Sequence, residues 1–184
     1  MKMTLLALLA VLAAPMAHAV EYQTVLPKQS RIGFEFRQMG VPVKGGFKRF
    51  TTQMAFDPAK PEAARAQIEI DLASIDAGSP EADEESAGKL WFNRSAYPKA
   101  TFVSSQIRAL GNNRYEMRGT LTLKGRSRDM IVPVTYTPGK NAATFDGGFV
   151  LKRLDFGIGE GMWADVATVA NEVKVKFRIA ATGK

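Results

Sequence analysis

The sequence contains no cysteine, and its one histidine is His18, close to the N-terminus. The absence of cysteine excludes disulfide bonds, thiol redox chemistry and cysteine nucleophiles. If His18 is removed with a leader, the remaining chain also excludes His- or Cys-ligated zinc, copper and haem, and Ser-His or Cys-His catalysis. Asp and Glu sites for hard cations are left open by the composition, but no D-x-D-x-D-G loop is present, and we expect no metal site.

The first 19 residues have the pattern of a secretory signal peptide. Lys2 provides a basic start, Leu5 to Ala14 is an apolar run, and Ala17-His18-Ala19 is a small-x-small cleavage site. The run is shorter than the roughly 20 apolar residues that a membrane span needs. We expect a signal peptide over residues 1–19, cleavage after Ala19, one domain over residues 20–184, and a mature protein located in the periplasm.

The charge of the chain is basic but dispersed. Because Lys2 lies in the leader, the 25 Lys and Arg residues become 24 against 18 Asp and Glu, a formal charge of +6. This excess is compatible with anionic lipid head groups, with acidic partners, or simply with solubility. No recognition helix, RNA-binding aromatic motif or long basic arm accompanies it, so we expect no nucleic-acid partner.

The stretch from Arg114 to Tyr136 predicts the fold class. Tyr115, Met117, Gly119, Leu121 and Leu123 alternate with polar residues, which is typical of a strand with one buried face. After a predicted turn over residues 125–128, the same alternation resumes as far as Tyr136, which indicates a long antiparallel hairpin. Six further segments have this pattern, and they lie over residues 30–36, 43–56, 66–72, 100–107, 145–151 and 172–181.

The segment between the third and fourth predicted strands predicts a helix. Ser79-Pro80 followed by acidic residues reads as an N-cap, a proline at the first helical position and a first turn matched to the helix dipole. We expect a helix from about Pro80 to Leu90. The predicted architecture is therefore a single all-β domain, an antiparallel eight-stranded barrel with one or two short helices.

The predicted interior leaves open whether the barrel is hollow. Its inward positions are rich in phenylalanine, methionine and leucine, and Gly45, Gly119 and Gly147 interrupt them. Inward glycines either leave room for an elongated apolar ligand or mark bulges and bends of the sheet. A catalytic alternative is a general acid/base pair drawn from Asp155, Glu160, Asp165 and Glu172, but no Ser-based motif supports a hydrolase.

Several motifs, in order, resemble the YceI-like, polyisoprenoid-binding family. The first is Ser30-x-Ile32-x-Phe34-x-Phe36, followed by Val43-x-Gly45 with Phe47 and Phe50. The others are Tyr97-Pro98-x-Ala100-Thr101-Phe102-x-Ser104, Gly119-x-Leu121-Thr122-Leu123-x-Gly125, Arg153-x-Asp155-Phe156-Gly157 and Glu172-Val173. The resemblance covers Glu21 to the C-terminus. Members often carry a histidine where this chain has Gln38.

The resemblance implies a lipocalin-like barrel that encloses a long isoprenoid or fatty-acyl-like lipid, without enzymatic activity and without a cofactor. It also implies contact with a membrane surface or with membrane cytochrome b proteins, and hence quinone-like ligands. Whether the protein is a monomer or a homodimer is left open. The inward alternation, rather than the resemblance, predicts which residues form the apolar cavity wall: Phe34, Phe36, Phe47, Phe102, Leu121, Leu123, Phe149, Phe156 and Phe177.

Three functional hypotheses therefore stand after the sequence alone. The first is a periplasmic lipid-binding carrier, which buries an apolar chain and leaves a head group at the mouth. The second is an enzyme that acts on such a lipid through Asp and Glu residues. The third is a ligand-free, stress-related interaction protein whose barrel is packed with its own side chains.

Overall fold

The protein is described by a computed structural model that covers residues 20–183. The predicted signal peptide, residues 1–19, lies outside the described residues. The strands are β1 (Tyr22–Val25), β2 (Arg31–Gln38), β3 (Val41–Phe47), β4 (Phe50–Ala55), β5 (Arg65–Asp71), β6 (Ile75–Asp76), β7 (Lys99–Gly111), β8 (Arg114–Leu123), β9 (Arg126–Thr137), β10 (Ala143–Lys152) and β11 (Glu172–Gly183). One α-helix, α1 (Pro80–Ala87), lies between β6 and β7. The 3-10 turns are Pro27–Gln29, Pro61–Ala63, Leu72–Ser74, Arg153–Phe156 and Gly161–Trp163.

All strands belong to one curled antiparallel sheet. Its order is β4-β5-β7-β8-β9-β10-β11-β2-β3-β6, and β1 pairs with the end of β11 beyond β2. Tyr22 in β1 also exchanges two backbone hydrogen bonds with Phe56, of 2.8 and 3.1 Å, directly after β4. The sheet therefore closes on itself at this end, which confirms the predicted all-β antiparallel barrel. No helix within residues 20–183 is long and apolar enough to cross a membrane.

The strand count is eleven rather than the predicted eight. β1 and β6 are too short to show alternation in the sequence, having four and two residues. The strand predicted over residues 43–56 is divided into β3 and β4. Ser74 produces this division, because its carbonyl accepts from the Lys48 N–H at 2.9 Å and its hydroxyl accepts from the Arg49 N–H at 2.9 Å. These two bonds hold the bend that the sequence placed at Lys48-Arg49.

The predicted hairpin is present as β8 and β9, but its turn is tighter than predicted. Leu123 pairs directly with Arg126, so the turn consists of Lys124 and Gly125 rather than residues 125–128. Both residues have positive φ angles, 49° and 71°, as a two-residue type I′ hairpin turn requires. Helix α1 starts as predicted, with the Ser79 hydroxyl accepting from the Ala82 N–H at 3.2 Å, and ends at Ala87 before Gly88.

An aromatic cluster fills the closed end of the barrel. Its members are Tyr22, Phe56, Tyr115, Tyr136 and Phe145, and neighbouring ring centroids lie 5.0 to 6.5 Å apart. The hydroxyls of Tyr22 and Tyr136 hydrogen-bond to each other at 3.0 Å, which satisfies both buried polar groups. Burial is the main cause of the raised pKa of Tyr136. This end of the barrel is packed with side chains and has no room for a chain-like ligand.

Candidate functional site

The other end of the barrel contains a cavity of about 450 Å³. On β10 the packed position Phe145 is followed four and six residues later by the cavity-lining Phe149 and Leu151. On β8 the buried Tyr115 and Met117 are likewise followed by the lining residues Leu121 and Leu123. The barrel is thus packed at one end, where a pocket of only about 50 Å³ remains, and hollow at the other. This answers the question that the inward alternation left open.

The cavity wall is apolar almost throughout. Its polar or charged lining residues are Gln38, Glu81, Glu85, Ser86 and Arg153. Of these, Gln38, Glu81 and Glu85 are exposed to solvent, so they mark the mouth. Strands of the sheet form one side, and the other side is a cover made by α1, the residues after it and the segment over residues 153–169. An apolar cavity of this size lies within the range of about 300 to 1,000 Å³ that holds small ligands.

The structure places six of the nine predicted wall residues along this cavity: Phe34, Phe36, Phe47, Leu121, Leu123 and Phe149. Phe102 and Phe156 lie in the packed core instead, and Phe177 borders a second, smaller pocket of about 50 Å³. That the six residues contact a ligand stays a prediction.

Three of the predicted wall residues do not line the main cavity, and inward-facing glycines on neighbouring strands explain two of them. A Cβ atom at Gly147 would collide with the ring of Phe177, its direct cross-strand partner on β11. A Cβ at Gly119 would likewise collide with the ring of Phe102 on β7. Each phenyl ring therefore covers the bare backbone of its neighbouring strand, so the space that glycine leaves is filled by protein. Phe34 lies over Gly45 in the same way, yet still borders the cavity.

The third departure has a different cause. Phe156 lies in the 3-10 turn Arg153–Phe156, which follows the end of β10 at Lys152. The alternation of sides that holds along a strand does not continue into a turn. Phe156 is therefore buried in the core, with 2% of its surface exposed, rather than placed on the cavity wall.

The cover of the cavity was missed by sequence reasoning. It includes Trp91, Phe92, Ile158, Trp163 and Val169, none of which lies on a strand. The indole rings of Trp91 and Trp163 pack with their centroids 5.6 Å apart. One signal was available, because the Leu90-Trp91-Phe92 group is the apolar part of an otherwise charged insert. The contribution of the segment after β10 had no such local signal.

Arg153 holds in place the part of the cover that is formed by residues 153–169. Its side chain is 1% exposed, and its guanidinium donates five hydrogen bonds to backbone carbonyls. The acceptors and distances are Ala170 at 3.1 Å, Ile158 at 2.8 Å, Gly159 at 2.8 Å, Trp163 at 2.7 Å and Val169 at 2.6 Å. Burial lowers the pKa of Arg153 from its ordinary value. A set of five carbonyl dipoles, rather than a carboxylate, compensates the buried charge.

Gly159 is part of the same arrangement. Its φ of +74° is the left-handed region that favours glycine, and a Cβ there would collide with Nη1 of Arg153. The glycine-rich stretch that follows β10 thus wraps closely around one guanidinium group. This is a structural role, in agreement with the absence of a phosphate-binding glycine pattern.

None of the four carboxylates considered for acid/base catalysis lines the cavity. Glu160 forms ion pairs of 2.9 Å with both Lys124 and Arg126, and the hydrogen bond from Lys124 is the main cause of its lowered pKa. Asp165 accepts hydrogen bonds from the Ala167 N–H and the Thr168 hydroxyl, both at 2.9 Å. Asp155 and Glu172 are exposed. Within residues 20–183, no group of three or more His, Cys, Asp or Glu side chains is placed to hold a metal ion.

Comparison with known proteins shows the same family that the sequence motifs resemble. A family model described as YceI-like domain matches residues 23–181. A UPF0312 protein of Azotobacter vinelandii is 31% identical over 159 residues, which cover 81% of this chain and 82% of that protein. A UPF0312 protein of Vibrio cholerae is 30% identical over 169 residues, with 86% and 89% coverage.

Solved structures share the fold. The crystal structure of Burkholderia cenocepacia BcnA has a TM-score of 0.84 and 44% identity, and the match covers 86% of this chain and 99% of that chain. A domain from Saccharophagus degradans, described as polyisoprenoid binding, has a TM-score of 0.68 at 15% identity, with 90% and 99% coverage. At that identity the second likeness concerns the fold alone.

Proposed function

Since the chain belongs to the YceI-like domain family, we propose that it is a binding or carrier protein that encloses the apolar chain of a lipid. The ligand class is an isoprenoid, quinone-like or other long apolar lipid. The observation that carries this proposal is the cavity of about 450 Å³, whose wall is almost wholly apolar and whose exposed polar lining residues are Gln38, Glu81 and Glu85. The S. degradans domain of the same fold is described as polyisoprenoid binding, which supports the same ligand class.

The size of the cavity limits how much of the chain is enclosed. A small group such as water occupies about 30 Å³ in the liquid, so the cavity accommodates on the order of 15 carbon atoms. Burial of each CH₂ is worth about 0.8 kcal/mol, which gives a gross gain of about 12 kcal/mol. Association costs of roughly 4 to 15 kcal/mol reduce this gain. The cavity therefore needs to bury most of the chain for tight binding, and a longer chain must leave through the mouth.

The binding role is favoured over the two alternatives by specific observations. An enzyme that used Asp155, Glu160, Asp165 or Glu172 would need them near the bound lipid, but none of these residues lines the cavity. A fully packed barrel would leave no space between the sheet and its cover. We therefore propose a non-enzymatic protein that takes no cofactor and no nucleic-acid partner.

The proposed location is the periplasm, after cleavage of the leader at Ala19. There the protein would meet the bilayer surface from which its lipid comes, and contact with a membrane cytochrome b protein would fit a quinone-like ligand. Exposed apolar side chains close in the chain to the lining residues Gln38, Trp163 and Val169 support the bilayer contact. Met39, Val41, Met162 and Val166 are 54 to 78% exposed, and the Met39 N–H bonds to the Thr168 carbonyl at 2.8 Å, which joins these two loops beside the mouth.

Displacement of an apolar fluorescent probe by the 15-carbon alcohol farnesol tests the lipid-binding role. We expect saturable displacement by the wild type and strongly weakened probe binding by Phe149→Asp, which puts a carboxylate on the apolar wall. Val150→Asp is the matched control, because Val150 is the next residue on β10 and is half exposed on the outer face. Equal probe binding by all three proteins would contradict the proposal.

Sedimentation with phosphatidylcholine vesicles tests the bilayer contact separately. Val166→Glu at the mouth should reduce the fraction of protein bound to vesicles. Ile131→Glu should not, although Ile131 is equally exposed at 54%, because it lies on strand β9 with no lining residue next to it, whereas Val166 lies in the loop between the lining residues Trp163 and Val169. Equal effects of the two substitutions would assign the vesicle binding to general hydrophobicity rather than to the mouth.

A further inference from the structure

Few charged groups lie on the cavity lining, and they differ in their exposure to solvent. Among the lining residues of the described chain, Glu81, Glu85 and Arg153 carry charge. The two carboxylates lie at the exposed mouth on α1, and the guanidinium is buried in the cover. A head group that stays at the mouth lies nearest the two exposed carboxylates, so their chemistry affects which head groups are accepted.

Arg153 has no hydrogen-bond donor left for a ligand. A guanidinium has five N–H groups, and five backbone carbonyls accept hydrogen bonds from it at 2.6 to 3.1 Å. To bind a phosphate or carboxylate, Arg153 would have to break bonds that hold the cover together. Arg37, which precedes the mouth residue Gln38, is not on the lining, and it donates to the Gly40 carbonyl at 2.8 Å. The lining therefore offers no free cation to an anionic head group.

Glu85 at the mouth is held in place as a hydrogen-bond acceptor. The indole N–H of Trp163 donates to Oε1 of Glu85 at 2.9 Å, which fixes that carboxylate beside the cover. Hydrogen bonds from its own backbone N–H and from Ser79 lower the pKa of Glu81, so this group is ionised at neutral pH. Like charges brought into contact disfavour association, and negative groups at a mouth favour donors and cations.

We infer that Glu81 and Glu85 form a head-group filter, which admits lipids with an uncharged hydroxyl or a cationic head group and rejects phosphorylated lipids and fatty acids. This inference rests on the proposed lipid-binding function and adds the chemical class of the polar end. It assigns to the acidic insert a role in specificity, in addition to matching the helix dipole.

Three probes with the same 15-carbon chain test the inference: farnesol, farnesylamine and farnesyl monophosphate. Each is titrated calorimetrically against the wild-type protein, below its critical micelle concentration. We expect farnesol and farnesylamine to bind at least about tenfold more tightly than the phosphate, because unit charges a few ångströms apart interact appreciably even near a protein surface. Raising the salt concentration should reduce the difference in affinity between the phosphate and the other two probes, since salt screens exposed charges.

The double variant Glu81→Gln/Glu85→Gln identifies the residues responsible. Glutamine at position 85 keeps a carbonyl that accepts from Trp163, so the change removes charge and preserves this hydrogen bond. We expect the ratio of phosphate to alcohol affinity to rise toward one. Glu84→Gln is the matched control, because Glu84 lies on the same helix but is not on the cavity lining, and we expect it to leave the ratio unchanged.

The outcomes separate the filter from the function on which it rests. Equal wild-type affinity for all three probes, or tighter binding of the phosphate, would overturn the filter and leave lipid binding standing. A ratio that stays unchanged in the double variant would also overturn it. If none of the three probes binds, both the filter and the lipid-binding proposal fail.

Discussion

Two phenylalanines on one strand allow the hollow and packed ends of the barrel to be compared directly. Phe145 and Phe149 lie on the same face of β10, four residues apart. Phe145 is 6% exposed, and its ring centroid is 5.9 Å from that of Tyr22, 5.0 Å from that of Phe56 and 5.5 Å from that of Tyr136. Phe149 borders the cavity. Replacing each with alanine makes the same chemical change in two different surroundings.

The expected costs differ because Phe145 packs against three other rings and borders a pocket of only about 50 Å³, whereas Phe149 borders a cavity of about 450 Å³. Truncating a fully packed phenylalanine costs about 3 to 5 kcal/mol, from lost transfer free energy and the cavity left behind. Phe149 loses contacts on one side and merely enlarges an existing space, so we expect about 1 to 2 kcal/mol, part of the transfer value of a buried ring. In a domain of this size, each kcal/mol lowers the melting temperature by about 2 to 4 °C.

Chemical denaturation followed by tryptophan fluorescence and calorimetric melting measure both variants. Phe145→Ala should lower the free energy of unfolding by about 1 to 4 kcal/mol more than Phe149→Ala, from the difference in packing around the two rings. Binding of an apolar probe should follow the opposite order, with Phe149→Ala the more affected variant. Equal destabilisation by the two variants would show that the barrel is equally packed around both rings, and would refute the division into a solid and a hollow end.

Four further predictions follow from the same account. Chelators and thiol reductants should leave the melting temperature unchanged, because the chain after residue 19 contains no His and no Cys; a shift of several degrees with EDTA would indicate a carboxylate-bound cation. N-terminal sequencing of exported protein should begin at Val20, and a chain that keeps Met1 would contradict the export prediction. Affinity for isoprenoid alcohols should increase with chain length up to about 15 carbons and then level off, as the cavity volume dictates; a continued increase at the same slope would imply a larger enclosed space. The free energy of unfolding should fall as the pH drops through the folded-state pKa of Glu160, because the hydrogen bond from Lys124 lowers that pKa below its unfolded value and this contribution exists only while Glu160 is ionised. Glu160→Gln should flatten part of this fall in a denaturation series between about pH 7 and 3, and an unchanged slope would show that its ion pairs contribute nothing.

The strands were predictable because each has one buried and one exposed face. The alternation in β8 and β9 predicts their pairing, and the two strands do align from Arg114 opposite Thr135 to Leu123 opposite Arg126. The start of α1 was also predictable, because the N-cap residue Ser79 and the first helical residue Pro80 are adjacent in the sequence. The closing strand β1 was not predictable, because its four residues contain no repeat and its partners lie more than thirty and more than 150 residues away.

The position of a residue along the barrel was harder to predict than its side of the sheet. Phe177 and Phe149 both point inward, but alternation does not reveal which one lies over a cross-strand glycine. The cover was missed for a related reason. Arg153 donates hydrogen bonds to the carbonyls of Trp163 and Val169 and so holds these residues over the cavity. Such contacts leave no periodic pattern in the sequence.

Mass spectrometry of an organic extract from protein purified natively from the periplasmic fraction tests directly whether the cavity holds a lipid. We expect an apolar lipid with an uncharged head group, present in near-stoichiometric amount with the wild type and strongly depleted in Phe149→Asp, while Val150→Asp retains it. An extract without any apolar molecule above the level of an unrelated exported control protein, or equal amounts of the same lipid in all three proteins, would contradict the claim that the cavity binds a lipid.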